Sequence, residues 1–150
     1  MRIVIQRVKR ASVAIDGKVH SAIGPGMMVL VGVATGDTRD DAQWLATKTA
    51  ALRIFDDEQG VMNLSIGATG GDVLAVSQFT LNASTRKGNR PSYIHAAGHE
   101  VAVPLYDAYC RLLEQALGRE VKRGVFGANM AVELVNDGPV TIIIDSRLRE

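Results

Sequence analysis

Two short segments of this sequence combine residue types in patterns that could do chemistry. Ser77-Gln78-Phe79-Thr80 follows the strongly apolar run Val73-Leu74-Ala75-Val76. A strand that ends in hydroxyl and amide groups puts donors at a sheet edge, where free backbone N–H groups could hold a developing oxyanion. The same residues could instead form ordinary side-chain to backbone bonds at a strand end. The second segment is Asn136-Asp137-Gly138-Pro139-Val140-Thr141. Asn, Asp, Gly and Pro together spell a turn. A Gly-Pro bond adopts the cis form at a cost of only ~0.5–1 kcal/mol, and a cis turn would aim two successive carbonyls in one direction. A plain hairpin turn, with Pro139 starting the last strand, is the other reading.

Other chemistries find less support. His20, His95 and His99 are the only histidines. His95 and His99 are four apart, but no H-E-x-x-H pattern occurs, and Cys110 has no second cysteine to join it, so no metal site is expected. Gly24-Pro25-Gly26 and Gly70-Gly71 read as turns rather than phosphate cradles. Neither nucleotide-binding glycine signature is present, so no cofactor is expected. No G-x-S-x-G elbow marks a serine nucleophile, although a Ser-His-Asp triad is recognised by geometry and stays open.

The elements that must position the two segments are partly legible. Val13 and Ile15 alternate with small or polar residues, and Asp16-Gly17 then precedes the run Lys18 to Ile23, a strong hairpin signal. Gly24-Pro25-Gly26 is a second turn, and Met27 to Val33 reads as a buried strand. Residues 39–53 read as a helix capped by Thr38 with Asp41 three residues on, and Ala42, Leu45, Thr49 and Leu52 share its apolar face. Residues 72–81 read as one strand. Residues 100–117 read as a second helix with Val101, Leu105, Ala108 and Leu112 on one stripe and Gly118 as terminator; Pro104 belongs within about its first turn. Met130 to Val135 and Val140 to Ile144 read as two strands around the Asn136–Pro139 turn. The fold class is therefore α+β, a mainly antiparallel curved sheet or barrel with two principal helices.

At 150 residues the chain predicts a single domain, residues 1–150, able to bury about 68–70% of its unfolded surface without metals or disulfides. It is 47% apolar and 22% charged with mean hydropathy +0.08, which excludes disorder. No apolar run reaches the ~20 residues of a membrane span, the N-terminus does not read as a signal peptide, and the lone cysteine fits a cytoplasmic protein. Net charge is only +1, but it is unevenly spread. Arg2, Arg7, Lys9 and Arg10 form one acid-free cluster, and Arg86, Lys87 and Arg90 another. Arg outnumbers Lys 12 to 5, and Arg suits bidentate phosphate contacts. Such clusters on a near-neutral protein permit docking of an anionic polymer at one face; a solvated rim is the other reading.

Taken together, Ser77-Gln78-Phe79-Thr80-Leu81 and Asn136-Asp137-Gly138-Pro139-Val140-Thr141 resemble the paired signature of the D-aminoacyl-tRNA deacylases. The resemblance extends to Met1 through Val8, Gly24-Pro25-Gly26, Asn63-Leu64-Ser65, Thr85-Arg86-Lys87-Gly88, and Phe126-Gly127-Ala128 with Met130, in the same order over residues 1–145. Residues 82–84 and 92–104, including His95, His99 and Pro104, depart from the usual family pattern. The resemblance implies a homodimer whose substrate is tRNA mischarged with a D-amino acid, or glycine on a non-cognate tRNA, with no metal or cofactor. It makes Ser77, Gln78, Phe79 and Thr80 the catalytic segment. It makes Gly138-Pro139 a cis pair inserted into the other subunit's pocket, with Arg7 and Met130 as pocket-lining or gating positions. Arg86, Lys87 and Arg90 become candidates for phosphate contacts near the acceptor end.

The implied selection has a physical basis. Enantiomers differ in where hydrogen and side chain sit around one carbon, and a rigid wall against one direction admits hydrogen and rejects a side chain. Glycine has hydrogen in both directions, so the wall cannot exclude it. The ester is already activated, so a positioned water and an oxyanion site could suffice. Two mechanisms remain: Thr80 as nucleophile, or water activated with help from the terminal adenosine's 2′-hydroxyl, the route the resemblance favours. A tRNA-end binding module without catalysis and a general esterase using Thr80 are the other function classes.

Overall fold

The computed structural model describes residues 1–149. Asp16 and Gly17 both take positive φ, 50° and 75°, the conformation that a tight hairpin turn demands. They join β1 (Arg2–Ile15) to β2 (Lys18–Ile23) as an antiparallel pair. β3 (Gly26–Gly32) returns along the first half of the same edge of β1. The chain then forms α1 (Arg39–Ala51), the small antiparallel pair β4 (Phe55–Asp56) and β5 (Met62–Leu64), the single turn α2 (Ile66–Thr69), and β6 (Asp72–Ser77). After a 3₁₀ turn (Phe79–Asn82) come α3 (His99–Leu117), β7 (Lys122–Arg123) and β8 (Ala131–Asp145).

The expected α+β class holds, and the sheet is curved: its path runs β2-β1-β3-β6-β7, and Ser21 Oγ on β2 donates to the Arg123 carbonyl on β7 at 2.8 Å, so the two ends of the path meet. The sheet is mixed, however. β3–β6 and β6–β7 are parallel, because the helical segments cross over between those strands. Both faces are covered. Ile3, Ile5, Met27, Val29, Val31, Val73 and Ala75 pack against Leu45, Ala46, Tyr106, Tyr109 and Leu113 of the two helices. Val8, Val13, Met28, Leu74 and Val76 form a second core inside the curl with Met130, Val132 and Leu134. Burial on two faces is why β3 and β6 read as continuous apolar runs.

Four sequence expectations need correcting. The strand expected over 72–81 ends at Ser77, and residues 79–82 turn instead. Its partner β3 ends at Gly32, so the ladder has nothing to pair with beyond the bond from Gln78 N–H to the Val31 carbonyl at 2.7 Å. Gly32 also admits the turn, since a Cβ there would lie 2.9 Å from Leu81 Cβ and 3.0 Å from the Gln78 carbonyl. The Asn136–Pro139 turn does not reverse the chain. β8 is one strand, and both of its halves pair with β1. Pro104 falls in the second turn of α3, on its exposed side, where the Glu100 carbonyl it leaves without a partner can be hydrated. The buried stripe of α3 is Ala102, Tyr106, Tyr109, Cys110, Leu112 and Leu113, rotated from the expected one, and Val101 is exposed.

α1 matches its reading closely. Thr38 N–H donates to the Asp41 carboxylate at 2.8 Å, the reciprocal bond of the capping box, and Ala42, Leu45, Ala46 and Thr49 are buried. Beside it, Asp37 has no side-chain exposure and accepts from Ala34 N–H at 2.6 Å, while its carboxylate lies 2.7 Å from the Met1 ammonium and 2.9 Å from the Arg147 guanidinium. No helix among the described residues is long and apolar enough to cross a membrane.

Candidate active site at the end of β6

The end of β6 leaves two backbone donors free. Phe79 and Thr80 open the 3₁₀ turn, so their N–H groups have no acceptor within it, and among the described residues none is supplied from elsewhere. Leu81 N–H closes the turn onto the Gln78 carbonyl at 3.2 Å, and Asn82 Nδ2 pins it to the Val33 carbonyl at 3.0 Å. The geometry realises the expected sheet-edge donors, though on a turn rather than on a strand.

Two cavities flank Phe79 and Thr80 at the start of this turn. One, of about 330 Å³, is lined by Val31, Val33, Gln78, Phe79, Ala97, His99, Ala102, Phe126 and Gly127. His99 and Phe126 meet edge to face at 5.2 Å, and Phe126 meets Tyr106 likewise at 5.8 Å. Thr80 belongs to the other cavity, of about 610 Å³, with Arg2, Val4, Leu81, Ile143, Asp145 and Leu148. Gln78 bridges the two, because its side-chain amide donates to Thr80 Oγ1. That amide cannot take the Thr80 proton, and among the described residues no carboxylate or imidazole hydrogen-bonds the Thr80 hydroxyl; Asp145, in the same cavity, is paired with Arg2. Ser77 is half-buried and pairs with Val31. Cys110 is no alternative nucleophile: burial pushes its thiol up to about 12, so it stays protonated at neutral pH.

The second segment forms an outward loop in β8. Gln6 pairs with Thr141 and Val8 with Asn136, so Arg7 alone faces Asp137, Gly138, Pro139 and Val140. The Gly138-Pro139 bond is cis, as the resemblance implied, and both residues are exposed. Gly138 has φ +126°, and a Cβ there would lie 2.9 Å from Val140 Cγ2 and 3.0 Å from Val140 N. Only glycine suits such a backbone.

Arg7 holds this loop rather than lining the cavity beside Phe79. Its guanidinium, 8% exposed, donates to the Asp137 carbonyl at 3.1 Å, the Ile54 carbonyl at 2.7 Å and Asp56 Oδ1 at 3.2 Å, with the Asp137 carboxylate at 3.6 Å. It thereby ties β8 to the β4 hairpin. Met130 also lies away from that cavity. It packs on the inner core, and a Cβ on Gly124 would come within 2.6 Å of its Sδ.

Within one chain the two segments are apart. Leu81 accepts from Arg2 Nη1 at 2.9 Å at one end of β1, and Gly138 lies beside Arg7, five residues along. At ~3.3 Å per residue that is roughly 17 Å. Neither Gly138 nor Pro139 lines either cavity.

The two basic clusters differ in fate. Arg2 pairs with Asp145 at 2.9 Å, Arg7 with Asp56 and Asp137, and Arg10 with Glu133 at 3.6 Å. Arg86, Lys87 and Arg90 sit on an exposed loop and make no ion pair among the described residues. Reciprocal backbone bonds of 2.8 and 2.9 Å between Ser84 and Ser92 close that loop. Among the described residues no three of His, Cys, Asp and Glu converge as metal ligands. Residue-by-residue reading did not reach the cavity walls Ala97, His99, Ala102 and Phe126. Phe126 and Gly127 entered only through the resemblance, and the signal available was Gly127, whose φ is +78°.

Comparison with known proteins finds relatives along nearly the whole chain. The family model described as D-Tyr-tRNA(Tyr) deacylase matches residues 4–145. A D-aminoacyl-tRNA deacylase of Bacteroides fragilis is 61% identical with both chains fully covered, and one of Akkermansia muciniphila is 56% identical with the same coverage. Among solved structures, a c-Myc DNA unwinding element binding protein superposes with a TM-score of 0.92 at 39% identity, covering 97% of this chain and 98% of its own. A probable eukaryotic D-amino acid tRNA deacylase shares the fold, with a TM-score of 0.82 at 18% identity over 95% and 97% of the two chains. A signature legible in two short segments, a fold shared along nearly the whole length and relatives matched end to end lead to one conclusion: the chain belongs to the D-Tyr-tRNA(Tyr) deacylase family.

Proposed function

We propose that the chain hydrolyses the ester between tRNA and a D-amino acid or glycine, and rejects L-aminoacyl-tRNA at a site shared by two copies of the chain. The observation that carries this reading is the separation of two complementary half-sites on one chain. The end of β6 offers free donors and a cavity but no wall. The loop at Asp137–Pro139 offers exposed, rigidly held backbone but no cavity. A second copy in a two-fold arrangement supplies each half with the other, because an isologous contact presents both surfaces twice. Among the described residues β8 pairs only with β1, so its other edge is available for that contact.

The terminal base of the RNA fits the 330 Å³ cavity, whose walls are Val31, Val33, Ala97, Ala102 and the Phe126 ring, with the Gln78 amide as its polar group. The ester carbonyl then lies at the turn. Water attacks the carbonyl carbon, and the Phe79 and Thr80 N–H groups stabilise the oxyanion. As the tetrahedral intermediate collapses, the bond from carbon to the ribose 3′-oxygen breaks, and a proton originating on the attacking water passes to that oxygen with the 2′-hydroxyl as relay. Thr80 as nucleophile loses support, since among the described residues the one hydrogen-bond partner of its hydroxyl is the Gln78 amide, which cannot take its proton. The partner's Gly138-Pro139 backbone closes the direction in which an L side chain would project and leaves room for hydrogen. Arg86, Lys87 and Arg90 contact phosphates without reading sequence, so binding weakens as salt rises.

Incubation with D-tyrosyl-tRNA and L-tyrosyl-tRNA tests the activity. Selective loss of the D-ester is expected, and equal loss of both esters, or loss of neither, refutes it. A tRNA ending in 2′-deoxyadenosine tests the relay: it should be a poor substrate, and full activity on it would return the role to Thr80.

A further inference from the structure

Phe79 and Tyr93 form an aromatic pair on the outside of the protein, at the root of the cationic loop. Their rings meet edge to face with centroids 5.1 Å apart and an interplanar angle of 67°. Both are displayed to solvent, Phe79 at 53% and Tyr93 at 42% exposure, and the neighbouring Ile94 is more exposed still. Rings of this size carry most of their stabilising potential in buried area, so a paired display at the mouth of a site points to a ligand with a flat face.

The surrounding charge says which ligand. Between Asp72 and Glu100 the chain carries no carboxylate, while Arg86, Lys87 and Arg90 lie on the loop that the Ser84–Ser92 pair closes immediately before Tyr93. Unpaired cations beside exposed aromatic rings are the surface that single-stranded nucleic acid requires, with phosphates taking the charges and bases taking the ring faces. The same loop of a second copy would bring like charge against like, so these cations are left for an anionic strand rather than for their own counterparts.

We propose that Tyr93, braced by Phe79, stacks the base of the nucleotide that precedes the terminal aminoacyl-adenosine, while the loop cations hold the phosphates of the same single strand. This rests on the placement of the terminal base in the neighbouring cavity, because Phe79 belongs both to that cavity's wall and to the aromatic pair. A strand whose last base sits in the cavity has its preceding base within one nucleotide step of the Tyr93 ring.

The test compares a D-tyrosylated minihelix bearing an intact 3′ single strand with one that is abasic at the penultimate nucleotide. The abasic change should lower kcat/KM about tenfold, the size of one base–aromatic stack. Tyr93→Ala should cost about the same on the intact substrate and little further on the abasic one, whereas Tyr93→Phe keeps the ring and the activity. The melting temperature should fall by only a few degrees, because Tyr93 is 42% exposed and Tyr93→Ala mainly removes its contact with Phe79. An abasic substrate as good as the intact one, or a Tyr93→Ala defect undiminished on the abasic substrate, overturns the proposal. So does a change in sedimentation behaviour on Tyr93→Ala, which would assign the ring to a contact between subunits. Fluorescence anisotropy with uncharged single-stranded RNA of the same 3′ sequence reads the platform without catalysis. If wild type hydrolyses neither minihelix, the deacylase reading fails while weaker binding by Tyr93→Ala still supports the platform; equal binding by both proteins refutes it.

Discussion

Replacing Arg7 by lysine separates the task of holding the Asp137–Pro139 loop from the task of binding the ester. Arg7 spans two elements at once: Nε donates to the Asp137 carbonyl at 3.1 Å and Nη1 to the Ile54 carbonyl at 2.7 Å, with the side chain 8% exposed. Its contacts to Asp56 and Asp137 carboxylates add little, because those acids are about half exposed, and exposed pairs contribute ~0–1 kcal/mol. A lysine ammonium keeps the charge but lacks the planar fork that sets Nε and Nη1 against the two carbonyls, so at least one of these bonds should be weakened or lost. A hydrogen bond to a charged group contributes ~1.5–3 kcal/mol. At ~2–4 °C per kcal/mol in a domain of this size, Arg7→Lys should lower the melting temperature by about 3–12 °C. The loop it frees is the proposed barrier to L-residues. Hydrolysis of L-tyrosyl-tRNA should therefore rise relative to D-tyrosyl-tRNA, while the Phe79 and Thr80 donors stay in place. Thermal unfolding and paired deacylation time courses measure both effects. A variant with wild-type stability and wild-type discrimination would show that something other than Arg7 holds the loop, and would refute its role as anchor of the barrier.

Further outcomes follow from the same structure. Gly138→Ala forces a side chain onto φ +126° and against Val140; strain of this kind costs about 1–3 kcal/mol, so melting temperature and D-to-L selectivity should both fall, and retention of both would place the loop outside the site. Ala97→Trp should fill the 330 Å³ cavity while keeping the bond from residue 97 N–H to the Val33 carbonyl; kcat/KM should drop with little change in stability, and an unaffected rate would put the terminal base elsewhere. Asp145 is held below the ordinary carboxylate range: burial works against this, but bonds from Arg147 N–H and the Arg2 guanidinium outweigh it. Its unfolded form therefore binds more protons between the two pKa values. The stability it contributes is fully present above the unfolded value of ~3.9 and is lost as pH falls through the lower folded value. Asp145→Asn should flatten that acid limb in unfolding titrations, and an unchanged limb would mean the Arg2 pair carries no linkage.

Legibility followed the range of the interaction. Asp16-Gly17 and Thr38 with Asp41 act on neighbours a few residues away, so the β1–β2 hairpin and the start of α1 could be read from residue types alone. The apolar runs of β3 and β6 were legible because burial on both faces leaves a continuous pattern. The two candidate segments stood out for a similar reason, since each concentrates unusual residue types within a few positions.

Residue order alone thus set a local vocabulary: which segments turn, which are buried, and which residues have hydroxyl, amide or glycine chemistry to offer. Where those residues ended up depended on pairing at long range. Phe79 turns instead of extending because β3 stops at Gly32, and Asn136–Pro139 bulges instead of reversing because β1 is long enough to pair with both halves of β8. Arg7 became an anchor because three carbonyl and carboxylate groups from distant segments converge on it. Periodicity and propensity describe neighbours along the chain, whereas a strand's end and a guanidinium's partners depend on segments tens of residues away.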